Sequence, residues 1–382
     1  MSVSYIPEKV KFILWGKAAG RCQYEGCNEK LYLDQTTKAE FNQAYIAHII
    51  ADKPGGPRGD DVLSEKLKRD LTNLMLLCDR HHRLVDKEDV DGHPVSRLMN
   101  MKSRHEERIR IASDISEDLS TNIILFGARI GEHGTPLTYS EAANAIKPDF
   151  LPASDRPIIL SMDSAHKDDE DSYWRIQSES LKRNFETELA RLKDTSETPH
   201  FSVFGLAPQP LLIQLGTLLS DITRVKVYTR LREPETWVHQ EDIAPVDFHI
   251  IEPADTTGYP VLNISITAKI EDSRIQKAIQ GHISIWKLTV PNPGKDLVRS
   301  DMTLMNFRNR VREIFEKIKL AHGEDATLNV FPAMPNSTAI EFGRVWQPKA
   351  ELPMIIFDQN ASRNGFIRTV LITKPKRTQY DY

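Results

Sequence analysis

Cysteine is scarce: Cys22, Cys27 and Cys78 are the only three in 382 residues, and the 304 residues after position 78 (382 minus 78) contain none. An odd number gathered at one end excludes a disulfide framework and points to a local use of thiols. Long apolar runs are missing too. No window approaches the roughly 18 consecutive apolar residues of a membrane-spanning helix, and the opening MSVSYIPEKVKF lacks the basic, apolar, small-residue order of a signal peptide. A cytoplasmic protein with no membrane partner is the expectation. Excess positive charge is also absent. With 50 Lys and Arg against 54 Asp and Glu, the formal net charge is −4, which excludes attachment to nucleic acid through bulk electrostatics. Any contact with DNA has to be local.

The length exceeds what one hydrophobic core usually holds, so two or more domains are expected. Residues 1–112 read as a small α+β domain: a helix through PEKVKFILWGKAAG, a cysteine turn, short strands near AEFNQAYIAHII, a Gly/Pro loop KPGGPRG and two helices. The second of these begins near Pro94. It places Val95, Leu98, Met99, Ile109 and Ile111 loosely on one face, with Lys102, Arg104, Arg108 and Arg110 outside. Glu106 and Glu107 interrupt those cations, so the outside reads as a solvated face rather than a phosphate-binding stripe. Residues 113–155 carry polar and Gly/Pro signals, GEHGTP and KPDFLPASDRP, and read as a linker. Residues 156–382 alternate apolar strands with helices, the long ones near 172–194 and 299–321, which favours an α/β sheet with helices packed on it.

A repeat lies inside this second region. SVFGLAPQPLLIQLG (residues 202–216) and NVFPAMPNSTAIEFG (residues 329–343) align without gaps at an offset of 127, matching Val203 with Val330, Phe204 with Phe331, Pro208 with Pro335, Ile213 with Ile340 and Gly216 with Gly343. Each copy follows one of the long helices, so duplication is the better account, with halves at about 156–290 and 291–382. In each copy a strand enters a Pro-containing turn and starts a helix. The N–H groups of such a start face the carboxyl ends of the strands and suit an anion. Pro208, Gln209, Pro335, Asn336 and Ser337 are the candidate ligand contacts on these turns. Arg230 and Trp237, and Trp346 and Lys349 from the second half, could pair a phosphate or stack on a base; Trp286 in HISIWKLTV reads as core.

Cys22-x4-Cys27 and Cys78-x2-His81 are two pairs of soft ligands on short turns. Zinc takes four such ligands tetrahedrally, so one structural site consumes every cysteine in the chain and turns the adjacent His82 elsewhere. His48 at the end of AYIAHII, Asn73 in LTNLMLLC and His82 then fall in the order of the HNH, or ββα-metal, nucleases, which residues 18–95 resemble. That resemblance implies His48 as general base, His82 as ligand of a catalytic Mg²⁺ or other divalent ion, and Asn73 as the side chain that fixes the loop carrying His48. Many HNH nucleases have Asp or His before the base as a second ligand. Ala47 stands there in this chain, which leaves Asp52, Asp60, Asp61 and Asp70 as unranked substitutes.

The second region, through FSVFGLAPQPLLIQLGTLLSD, VYTRLREPETW, FPAMPNSTAIEFGRVWQPKAELPMIIFDQN and FIRTVLIT, resembles the SAVED domain, a sensor of cyclic oligonucleotides in bacterial CBASS antiphage systems. The family is built of two fused CARF-like, Rossmann-related halves. HNH followed by SAVED implies an endonuclease for double-stranded DNA, switched on when a cyclic di- or trinucleotide from a partner synthase binds and drives homo-oligomer assembly. Its rivals are a zinc-stabilised, nucleotide-responsive DNA-binding regulator that no longer cuts, and a nuclease acting on RNA.

Overall fold

Four consecutive apolar residues, Leu74–Leu77, are all fully buried and form β2, which pairs antiparallel with β1, Tyr45–His48. These strands, belonging to a computed structural model of the chain, lie in the first of two compact units, Met1–Ser116 and Glu117–Tyr382. The structure describes residues 5–116, 119–127, 137–160, 170–193, 199–220, 224–240 and 244–373. Among them no helix is long and apolar enough to cross a membrane.

In the first unit α1 (Glu8–Ala18) precedes β1, a short α2 (Leu63–Leu67) precedes β2, and α3 (Asp79–Arg83) runs on through a wider π turn at Leu84–Glu88. The strand expected within residues 39–50 is confined to β1; before it the chain makes only an isolated antiparallel bridge from Glu40 to Leu33, with Phe41 exposed. The closing helix α4 (Val95–Asp114) buries Leu98, Met101, Lys102 and His105. Met99, expected on the apolar face, is exposed, and Lys102, expected outside, is buried with its ammonium on Glu106. The side chains of Leu14, Ala18, Leu31, Met75, Val85 and Leu98 form the centre of this unit's core.

Among the described residues the second unit holds two large sheets and a two-stranded hairpin. In the first, β3 (Ser120–Gly127) pairs in parallel with β4 (Leu151–Pro152), β5 (Ile158–Ile159) and β6 (Phe201–Leu206), and β6 with β7 (Val225–Tyr228). Helices α5 (Tyr139–Ala145), α6 (Asp171–Lys193) and α7 (Gln209–Leu219) connect them. A small hairpin of β8 (Leu231–Arg232) and β9 (Glu235–Thr236) follows. The second sheet has six strands in the order β10 (His249–Ile251), β12 (Ile283–Thr289), β11 (Tyr259–Ser265), β13 (Leu328–Ala333), β14 (Met354–Asn360) and β15 (Gly365–Ile372), parallel in its centre and antiparallel at both edges. Helices α8 (Asp272–Ala278), α9 (Asp301–His322) and α10 (Asn336–Val345) complete it.

This topology corrects two boundaries. Residues 120–127, expected within a linker, are the central strand of the first sheet: Ile124 and Phe126 are fully buried in the main core. The GEHGTP stretch lies outside the described residues. The division between halves falls before β10 rather than near residue 290, since β10, β11 and β12 all belong to the second sheet. The duplication is also longer than its sequence trace. Ser202 pairs with Ile123 and Lys226, while Asn329, 127 residues on, pairs with Val261 and Ile355. Phe204 stacks on Tyr228 with ring centres 4.5 Å apart, and Phe331 on Phe357 at 4.4 Å.

The two copies meet through α7 and α10. A Cβ added to Gly216 would stand 2.0 Å from the Ile340 carbonyl oxygen, and one added to Gly343 would stand 1.9 Å from that of Ile213. The two residue pairs matched in sequence thus touch each other reciprocally, backbone on backbone.

Candidate metal centre and catalytic cleft

The cysteine turn follows α1 directly. Gly26 and Asn28 adopt φ of +77° and +56°, which folds the segment back so that the Cys22 N–H donates to the Glu29 carbonyl at 2.9 Å. Gln23 docks this turn onto β2: its N–H donates to the Leu76 carbonyl at 2.8 Å and its Oε1 accepts the Leu76 N–H at 2.7 Å. Cys78 lies at the end of β2, and His81 lies in the first turn of α3. One donor atom from each of Cys22, Cys27, Cys78 and His81 lies within 4.8 Å of the other three. His81 Nδ1 is 3.2 Å from Cys78 Sγ and 3.6 Å from Cys22 Sγ. Zinc bonds of about 2.0–2.3 Å space tetrahedral ligands at about 3.5–3.8 Å, so this donor set fits one zinc ion. The hydrogen bond from Cys22 lowers the Cys78 thiol to about 4, against the opposing effect of its burial, and raises that of Cys22. The His81 ring is fixed by Tyr24, stacked on it at 4.1 Å with a 2° interplanar angle.

One position further, His82 leaves this cluster. It shares a cleft of about 210 Å³ with Ala47, His48, Asp52, Asp86 and Lys87. Its ring stacks on Tyr45 at 4.7 Å, and its Nε2 lies 3.3 Å from Asp86 Oδ2, one helical turn away. Burial lowers the His82 pKa, a shift that the charge of Asp86 partly opposes. His48 is 7% exposed, and its Nε2 lies 2.9 Å from the Lys68 carbonyl. A carbonyl only accepts, so Nε2 carries the proton and the lone pair belongs to Nδ1.

Asn73 is fully buried. Its Oδ1 accepts the Ile50 N–H and its Nδ2 donates to the Ile50 carbonyl, both at 2.8 Å. This two-way clasp closes the chain just after His48. Asn73→Ala leaves both Ile50 groups buried without partners and is expected to cost about 1–3 kcal/mol. Urea unfolding followed within the first unit measures it; an unchanged midpoint contradicts the clasp.

Asp86 is the site residue that sequence reasoning missed. Asp60 and Asp70, two of the substitutes considered for Ala47, are exposed and cap local turns through the N–H groups of Leu63 and Thr72. Asp61 is exposed and absent from the cleft, whereas Asp52 lines it. Asp86 is also held by the buried Arg58, whose guanidinium lies 2.6 Å from its Oδ1 and donates to the Ile49 and Val85 carbonyls at 2.7 and 2.8 Å. The readable signal was the i, i+4 spacing of His82 and Asp86 in HRLVD. Octahedral bonds of ~2.1 Å put neighbouring ligand atoms about 3 Å apart, which the His82 and Asp86 donors match.

In the second unit the repeat turns face each other. Gln209 Oε1 accepts the Met334 N–H at 3.3 Å, and Asn336 Nδ2 donates to the Gly205 carbonyl at 3.2 Å. Both residues are half-buried, while Pro208, Pro335 and Ser337 are buried, Ser337 accepting from Thr229 at 2.8 Å. Arg230 is paired with Glu235 and lies over Trp237, which is itself packed in the core against Phe204. Trp346 is 4% exposed and donates its indole N–H to the Leu352 carbonyl. Trp346 and exposed Lys349 follow the far end of α10, about 15 Å of helix from its start. Neither therefore joins the turns at the strands' carboxyl ends. Trp286 is core, as expected.

A family model, the SMODS-associated and fused to various effectors sensor domain (SAVED), matches residues 181–372. Among solved structures, the Acinetobacter baumannii Cap4 SAVED/CARF-domain containing receptor with the cyclic trinucleotide 2′3′3′-cAAA is 12% identical, with a TM-score of 0.45 over 75% of this chain and 62% of that one. The same receptor with 3′3′3′-cAAA gives 12% identity, the same coverages and a TM-score of 0.43. The Moraxella osloensis Cap4 SAVED/CARF-domain containing receptor is 12% identical, with a TM-score of 0.39 over 73% of this chain and 59% of that one. The chain thus spans about three fifths of these receptors. No curated protein matches it.

Proposed function

Since the chain belongs to the SAVED sensor-domain family, matched over half its length, we propose that it is a defence effector of the CBASS type: a cyclic-oligonucleotide-gated, metal-dependent endonuclease acting on double-stranded DNA. The observation that carries the nuclease half is the shared cleft of His48, His82 and Asp86, set beside a Cys₃His cluster and closed from behind by Asn73. Hydrolysis of a phosphodiester needs a base for water and a cation for the charge that develops on phosphate and leaving oxygen.

His48 supplies the base. Its Nε2–H is held by the Lys68 carbonyl, so Nδ1 takes the proton from water. His82 and Asp86 would hold the divalent ion, which when bound neutralises phosphate charge. Arg58 and the Tyr45 stack orient these two donors, and Asn73 keeps His48 in register with them. The zinc is structural, since four protein ligands leave no open position. The second unit senses the cyclic oligonucleotide. Assembly of several chains then adds weak DNA contacts together, which compensates for a net charge of −4 through effective concentration.

The test is plasmid cleavage with Mg²⁺ and a panel of cyclic di- and trinucleotides. Cleavage is expected with one class of ligand only, and His48→Ala is expected to slow it by about 10²–10⁴-fold. If no ligand elicits cutting but one produces a DNA gel shift, the chain is a regulator and the nuclease reading fails. A His48→Ala chain that cuts at the parental rate removes the assigned base.

A further inference from the structure

We infer that a second groove of the first unit, separate from the cleft, binds the phosphodiester backbone of duplex DNA; this rests on the nuclease reading and adds to it the surface that holds the substrate. The groove, about 300 Å³, runs between the cysteine turn and α4 and is lined by Gly26, Asn28, Arg97, Asn100, Arg104 and Arg108, among others. Arg97, Arg104 and Arg108 are seven and four residues apart, which places them within about 40° of each other around the helix and over about 16 Å of its length.

Glu106 and Glu107 break the run of cations in sequence, but neither lines the groove. Glu106 lies against Lys102, Gln23 and Lys17, and Glu107 pairs with Arg110. The one carboxylate in the groove is Glu25, 2.6 Å from Arg97. Three guanidinium groups against one carboxylate leave a local charge of +2 on a chain whose total is −4.

The state of each arginine fits an anion acceptor. The Arg104 guanidinium is exposed and makes no hydrogen bond or ion pair among the described residues, though, behind the hydrogen bond from Arg97, it lies near enough to Glu25 to help lower that carboxyl's pKa. Arg108 is exposed and donates only to neutral partners, Asn28 Oδ1 at 2.8 Å and His105 Nδ1 at 3.2 Å. Arg21 stands at the same edge, bonded to the Asn28 carbonyl at 3.1 Å. Guanidinium groups are the side chains best suited to phosphate, and cations without carboxylate partners need not give one up to bind it. Spread along a helix they would meet several phosphates of one strand, whose axial rise is about 3.4 Å per nucleotide. Such contacts carry no base specificity; they fix register and orientation.

The experiment is equilibrium binding of a fluorescent duplex to the full-length His48→Ala chain between about 50 and 200 mM salt, so that cutting does not interfere. Arg104→Ala with Arg108→Ala is expected to weaken binding about tenfold near 100 mM and to reduce the slope of log affinity on log salt by about 2. Arg104→Lys with Arg108→Lys is expected to keep the slope, which separates charge from folding. Removing two paired arginines of α6, Arg175→Ala with Arg191→Ala, lowers net charge equally and is expected to leave the slope unchanged. Equal losses from both alanine pairs, or no loss from the first, overturn the groove while leaving cleavage by the parent chain as independent support for the nuclease. A parent that neither cuts nor binds duplex overturns both.

Discussion

His82→Ala is expected to abolish DNA cleavage, by about 10³-fold or more, with zinc content unchanged; His81→Ala, one residue away, is expected to lose zinc. The reason is the helix that carries them. Successive residues on α3 point about 100° apart, so two adjacent imidazoles cannot serve one ion, and each has its own surroundings. His81 Nδ1 faces the sulfurs of Cys22 and Cys78, and its ring lies on Tyr24. His82 lies on Tyr45 and faces Asp86. Zinc quantified by atomic absorption and cleavage followed on plasmid read the two effects separately. Because metal binding contributes to the folding free energy of a small unit, His81→Ala should also lower its melting temperature, and cleavage would fall indirectly. Loss of zinc alone in both variants would mean that the division between two ions is wrong.

Gly343→Ala is expected to destabilise the sensor unit by about 3 kcal/mol or more, and a β-branched residue there to prevent its folding. An added Cβ at 1.9 Å from the Ile213 carbonyl oxygen meets backbone, which no rotamer change relieves. Helices α7 and α10 would have to separate, and the fully buried Ile213, Ile340 and Phe342 would lose contacts together. Gly16 in α1 is the natural comparison, since nothing lies within 4 Å of a Cβ added there. Gly16→Ala should be neutral or stabilising by up to about 1 kcal/mol through helix propensity. Denaturant midpoints for the two variants measure the contrast, and a Gly343→Ala shift no larger than that of Gly16→Ala would exclude the tight crossing.

What the sequence made legible was what depends on short spacing. The Cys22, Cys27, Cys78 and His81 set could be read because each pair lies on one turn, and the split of His81 from His82 follows from zinc's coordination number. Asp86 stayed hidden although it is only four residues from His82, because attention fell on the position before His48, where Ala47 stands. The groove arginines read as a solvated face because linear order mixes them with Glu106 and Glu107, which the helix turns away from the groove. Residues 120–127 were given to a linker because the polar stretches flanking them masked a strand whose longest pairing, with β6, reaches about 80 residues along the chain. The repeat was visible in β6 and α7 but not in β3: β13 and α10 keep the offset of 127, whereas β3 and β11 are displaced by 138 (261 minus 123), so no ungapped alignment joins them.

The crossing of α7 and α10 also separates positions with a substitute from positions without one. Away from that crossing a contact in one copy can have its counterpart in the other: the Phe204 and Tyr228 stack in the first sheet is mirrored by Phe331 and Phe357 in the second. Gly216 and Gly343 have no such counterpart elsewhere, because they lie where one copy meets the other and each closes on the other's helix. A change at either is therefore a change to both halves at once, and duplication gives these two positions no protection.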